Sequence, residues 1–302
     1  MYKKIFTGPM LIIIGCICSS TTGTAQALAP EGATPLAIGA LRLLGGGISL
    51  LLLCLLTGNM PTRTGWPKLP TLMAAMGLVA YQIFFFIAIK NIGVAVGSVV
   101  AVGGSPIVVG ILGWLLLGEK PSPVWYGATA TAITGLAAIS LAGRGAGVLT
   151  LGGIVLALLA GASYALFLVA IKPLLEKHQS IHIMTVAFLI SGIAMLPILL
   201  MQPLAWMATV RGELVVLDLG LLTTAAAFPL ILTGMRSTSL ATTSTLCLTE
   251  PLGAALFGVF LLHEPLTGMT LCGTLLLFTS MVLLVWQKPK EVPVKQELKL
   301  AA

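Results

Sequence analysis

Apolar residues run along the chain in long blocks, broken at short intervals by Gly, Pro and charged residues. Each block is about as long as the 20 or so residues that carry an α-helix across a bilayer. Ten are read, over residues 8–29, 33–56, 69–89, 93–117, 123–142, 151–174, 181–201, 214–234, 237–262 and 266–286. A transmembrane β-barrel would show segments of about ten residues alternating apolar and polar positions. The blocks show no such alternation, so the expected class is an all-α membrane protein with ten transmembrane helices.

The pattern repeats. "SPIVVGILGWLLLGEKPS" at 105–122 recurs as "EPLGAALFGVFLLHEPLT" at 250–267. At a constant offset of 145 residues, Pro106 pairs with Pro251, Gly113 with Gly258, Glu119 with Glu264 and Thr129 with Thr274. Near the start the same offset pairs Gly8 with Gly153, Leu11 with Leu156 and Glu31 with Glu176. The expected organisation is a five-helix repeat over 8–142, a Gly-rich linker over 143–150, a second repeat over 151–287 and a tail over 288–302. Five is odd, so the second repeat enters the membrane from the opposite side. Inverted repeats of this kind surround a central cavity in many transporters.

Composition agrees with lipid as the solvent. The chain is 58% hydrophobic and 8% charged, where a soluble domain carries about 25% charged residues. The formal charge of +7 is scattered near helix ends rather than gathered with aromatics in a basic patch, so no nucleic-acid partner is expected. With the N-terminus in the cytoplasm, the inner segments hold Lys3, Lys4, Arg63, Lys68, Lys120, Lys172, Lys177, Arg236, Lys288, Lys290, Lys295 and Lys299, and the outer ones only Lys90, Arg144 and Arg211. The excess of inner cations places both termini in the cytoplasm. The N-terminal stretch also has the basic start, apolar run and small residues of a signal peptide. It aligns with 152–172 of the second repeat, which favours a retained helix. The five cysteines fall in apolar stretches and suit packing better than disulfides or a metal site. Trp66, Trp125, Trp206 and Trp286 read as an interfacial belt.

The Pro106…Gly113…Glu119 and Pro251…Gly258…Glu264 patterns, with Arg42 in "ALRLLGGG", resemble the EamA group of the drug/metabolite transporter superfamily. The resemblance runs over about residues 8–287. It implies a carrier of amino acids and related metabolites, or of nucleotide sugars and sugar phosphates, in a bacterial inner membrane. It also implies export as the direction. Ala187 stands opposite Arg42 in the second repeat, and His263 opposite Gly118, so the halves have diverged.

Polar groups inside apolar spans face a bundle interior or a wet cavity. Glu250 lies near the middle of its span, as a substrate-amine or proton-coupling carboxylate, or as a structural partner of Arg42. Arg42 is read as its electrostatic partner, as a contact for a substrate carboxylate, or as a snorkelling side chain. Ser20 and Thr21, within the hydroxyl-rich stretch 19–26, and Tyr81, Gln82 and Tyr164 join them as candidates for a substrate site, with helix packing as the plain alternative. Pro106 and Pro251 are candidate hinges. Lys90 and Lys172 sit near span ends and are expected to snorkel. No catalytic grouping and no metal or cofactor motif is read. Glu176 with His178 and His182 is the sole hint of a lipid-modifying enzyme. The expected partners are a small-molecule substrate and the lipid bilayer, with a homodimer as an open option.

Overall fold

In the computed structural model, residues 2–62, 65–142, 150–261, 263 and 267–286 are described. The linker expected over 143–150, apart from Thr150, the tail over 288–302, and Glu264 lie outside the described residues. Among the described residues, ten helices are long and apolar enough to cross a membrane: Thr7–Ala27, Pro35–Leu56, Lys68–Ile92, Val96–Leu117, Pro123–Leu141, Leu151–Lys177, Ser180–Leu200, Val210–Met235, Leu240–Leu261 and Gly268–Trp286. They are spans 1 to 10 below. Thr34, Thr150 and Ser239 each cap a span by accepting a hydrogen bond from a backbone N–H in the first turn. Such caps satisfy donors that a helix start leaves without partners.

The two halves are interleaved. Span 3 packs along span 6, span 1 along span 8, span 2 along span 7 and span 5 along span 10. Exchanging each span for its repeat partner, five positions on, maps this set of contacts onto itself. That is the behaviour of two five-helix repeats related by a pseudo-two-fold axis. Large apolar side chains such as Leu115, Phe260 and Phe278 remain on the outside, where only hydrocarbon can cover them without loss. Phe167 and Phe188 are fully buried in the interior.

Association in lipid relies on close contact and on polar groups that bond across helices. A methyl group built on Gly135 of span 5 would sit 2.7 Å from the Gly273 carbonyl oxygen of span 10, and one on Gly273 would sit 2.5 Å from the Gly135 oxygen. The backbones approach so closely there that only glycine fits. The Ser280 hydroxyl donates to the Ala128 oxygen across the same seam at 2.7 Å.

Three spans depart from regular α-helix just before a proline. Span 4 is π-helical over Val99–Gly103, before Pro106. Span 8 is π-helical over Asp218–Ala226, before Pro229. Span 9 divides into Leu240–Leu246 and Thr249–Leu261, before Pro251. Proline has no N–H and frees the carbonyl four residues back. The Ser105 hydroxyl takes up the Val102 carbonyl at 2.8 Å, and the Glu250 N–H takes up that of Cys247 at 3.0 Å. Both prolines proposed as hinges therefore follow irregular backbone. The repeat equivalence extends to span ends: Gly118 and His263 are both left-handed, with φ of 70° and 56°.

The tryptophans form no single belt. Trp286 is exposed, but Trp125 and Trp206 are buried. The Trp125 indole donates to the Ala241 oxygen at 2.8 Å and the Thr245 hydroxyl at 3.0 Å. It ties span 5 to span 9 and satisfies an indole N–H held inside the bundle.

The seam between spans 5 and 10 gives a direct test. Gly273→Leu is expected to destabilise the protein by about 1–3 kcal/mol, as overpacking does. Thermal unfolding in detergent micelles would show a lowered midpoint, whereas an unchanged midpoint would mean that the seam is looser than described.

Candidate functional site

A cavity of about 250 Å³ lies between the halves. Its lining comes from the parts of spans 1 to 4 that lie away from the face where the chain starts, at Ser20, Gly39, Gln82 and Ala101 among others. Phe228 and Ile231 of span 8 and Ser244 of span 9 close its deep end. Arg42, Tyr81, Gln82, Tyr164, Glu250, Pro251 and Ser20, all singled out in the sequence, line this one chamber.

Arg42 and Glu250 meet inside it. The Arg42 Nη2 lies 3.6 Å from Glu250 Oε1 and donates to the Ser19 hydroxyl at 2.7 Å. Its guanidinium carbon stands 5.7 Å from the centre of the Phe228 ring, within the range of cation–π attraction. The Arg42 side chain is 15% exposed and that of Glu250 36%. The base is thus the more enclosed of the two, and the Glu250 side chain the more open, both in the chamber lining. Gln82 donates to the Gly39 oxygen at 3.0 Å, holding span 3 to span 2. The Tyr81 ring stacks on Phe85 at 5.5 Å and leans on Tyr164 at 5.6 Å.

Thr21 is not part of the chamber wall. Consecutive residues of a helix point about 100° apart, so Ser20 faces the cavity and Thr21 turns away from it. Its hydroxyl lies 3.2 Å from each carboxylate oxygen of Asp218, at the contact with span 8. Asp218 did not figure among the sequence candidates, although an acid a few residues inside an apolar span was there to be seen. Phe228 left no signal, because an apolar residue in an apolar span announces nothing. Pro106 likewise stands outside the lining, one residue beyond Ser105.

Lys172 does not snorkel. Its ammonium donates to the backbone oxygens of Met235 and Thr238 at 2.9 and 2.8 Å and lies 3.6 Å from Glu119 Oε1. Glu119 Oε2 accepts the Leu240 N–H at 2.8 Å, so a carboxylate of the first half caps the start of span 9 in the second. Beside it Arg236 donates to the oxygens of Leu175 and His178 at 2.6 and 2.5 Å. These groups gather at the end of the bundle where the chain starts, and tie spans 4, 6, 8 and 9 together. His178 stacks on Trp66 at 3.9 Å, and His182 lies 2.9 Å from the Asn59 oxygen. These contacts hold the loops and leave the hint of lipid chemistry without a site.

The comparisons with known proteins meet this geometry. The model of the EamA-like transporter family matches twice, at residues 6–141 and 151–286. The chain belongs to the EamA-like transporter family. Its two family matches cover the two five-helix repeats. This EamA-like chain is 35% identical over 276 residues to the uncharacterized transporter YwfM of Bacillus subtilis (strain 168), covering 91% of this chain and 92% of that one. It is 32% identical over 136 residues to an uncharacterized transporter of Archaeoglobus fulgidus, covering 45% of this chain and 48% of the other. A crystal structure of a protein 19% identical in sequence has a TM-score of 0.79, over 91% of this chain and 95% of that one, and so shares the fold. The protein is a multi-pass membrane transporter of this family.

The ion pair of Lys172 and Glu119 can be tested directly. Lys172→Met leaves a buried carboxylate without its cation, and is expected to destabilise the EamA-like chain by about 3–5 kcal/mol. Adding Glu119→Gln is expected to restore part of that loss. Thermal unfolding of the two variants in detergent checks the sign; a double variant weaker than the single would show that the two residues are not coupled.

Proposed function

We propose that the protein is a secondary carrier that moves small amphipathic metabolites, foremost amino acids, out of the cell by alternating access. One observation carries this reading: an acid–base pair, one member from each half, inside a chamber between the halves. Transporter sites of inverted-repeat folds lie near the bilayer midplane between the repeats, and intramembrane charges mark such pathways. In this reading the end with Glu119 and Lys172 faces the cytoplasm across a bacterial inner membrane, which the excess of Lys and Arg in the segments on that side supports. The chamber then lies toward the outside.

The carrier for phosphorylated or nucleotide-bearing solutes is the weaker reading. The chamber, at about 250 Å³, lies below the roughly 300–1,000 Å³ of typical drug-sized pockets. Its lining also includes a single Arg and no Lys, where recognition of phosphate uses clustered cations. Pro106 and Pro251 serve as hinges in this mechanism, since the backbone before each is already irregular.

Counterflow of labelled amino acids into proteoliposomes tests the reading. Uptake is expected to saturate, and Glu250→Gln to lower it at least about tenfold, the loss that follows removal of one hydrogen bond to a charged group. Pro251→Ala is expected to slow counterflow while leaving substrate affinity unchanged. Absence of saturable flux for any amino acid would remove this substrate class, and unchanged flux in Pro251→Ala would remove the hinge.

A further inference from the structure

The two charges in the chamber are not equally available to a ligand. Arg42 is engaged on several sides, by the Ser19 hydroxyl, the Glu250 carboxylate and the Phe228 ring. Glu250 is the more open partner, at 36% against 15%. Ser19 and Arg42 occupy one side of its carboxylate, and a carboxylate offers about four acceptor positions. Glu250 lines the chamber, where acceptor positions beyond those two are available to a ligand.

A ligand carboxylate entering this space meets a carboxylate first and must displace Glu250 to reach Arg42. A ligand ammonium meets unused acceptors. The wall made by Tyr81, Phe85, Phe86 and Tyr164 adds to the same preference, because aromatic faces attract cations and also cover apolar surface. We infer that the chamber selects its substrates by a protonated amine bound at Glu250, with the apolar body against the aromatic wall, and that a substrate carboxylate is dispensable. The substrate class is then amphipathic amines, of which amino acids are the members that also carry an acid group. This inference rests on the chamber being the transport site and narrows what it takes.

Four probes with one apolar body separate the possibilities: leucine, 3-methylbutylamine, N-acetylleucine and 4-methylpentanoate. Binding to the full-length protein in detergent is measured by calorimetry, and inhibition of counterflow is measured in proteoliposomes. Leucine and 3-methylbutylamine are expected to bind within about tenfold of each other, and the two probes without an amine at least about tenfold more weakly, as for a lost charge-assisted hydrogen bond. Glu250→Gln is expected to weaken both amines by a similar factor. The inference is overturned if N-acetylleucine or 4-methylpentanoate binds as well as the amines. It is overturned equally if leucine binds and its decarboxylated analogue does not, or if neither amine binds. The wild-type series decides the matter even if the variant does not fold. Saturable counterflow of another amino acid alongside any of these failures would leave the transporter reading in place, so the two can fail separately.

Discussion

A charged or hydrogen-bonding group inside a lipid-facing bundle has no water to turn to, and must find its partner in protein. In this chain that partner repeatedly comes from the other half. Arg42 of the first half meets Glu250 of the second, and Glu119 of the first meets Lys172 of the second. Thr21 bonds Asp218, Trp125 bonds Ala241, and Ser191 donates to the Ala75 oxygen at 2.9 Å. Hydrophobic burial does little to hold helices together when lipid tails are as apolar as leucine. These polar contacts, with glycine seams such as Gly135 against Gly273, therefore set which spans lie together.

The same constraint explains the unequal ends of the molecule. At the end where the chain starts, one lysine, one glutamate and the open carbonyls of Met235 and Thr238 satisfy each other and tie the two halves together. The repeat partner of Lys172 is Ala27, so the first half brings no matching cation at the equivalent position. The chamber lies away from the tied end, with a pair of charges at its centre that neither half could hold alone.

Irregular backbone falls where the chain has proline and a carbonyl to satisfy. Ser105, one residue before Pro106, restores the bond that its neighbour removes. In span 9 the residue before the proline is Glu250, whose backbone N–H takes up the freed Cys247 carbonyl beside the interruption of the span. The acid is therefore at the start of a helical segment, where backbone N–H groups also favour negative charge. Its position in the chamber and the interruption of its span have one cause.

The membrane class, the ten spans, the duplication and the polar groups of the chamber such as Arg42, Tyr81, Gln82 and Glu250 were legible in the sequence, because length, apolarity, a fixed register and polar residues within apolar spans are properties of order along the chain. Arg42 and Glu250 stood out for the same reason, as charges in apolar surroundings. Facing direction was not legible. Ser20 and Thr21 are adjacent and chemically alike, yet one lines the chamber and the other bonds Asp218. Lys172 read as a span-end cation and Trp125 as an interfacial anchor, and both proved to be cross-links between halves. Sequence determines what each residue can bond. Which partner it bonds was decided only when ten helices packed, because rotation about a helix axis and the neighbour met across the seam are properties of the assembled bundle.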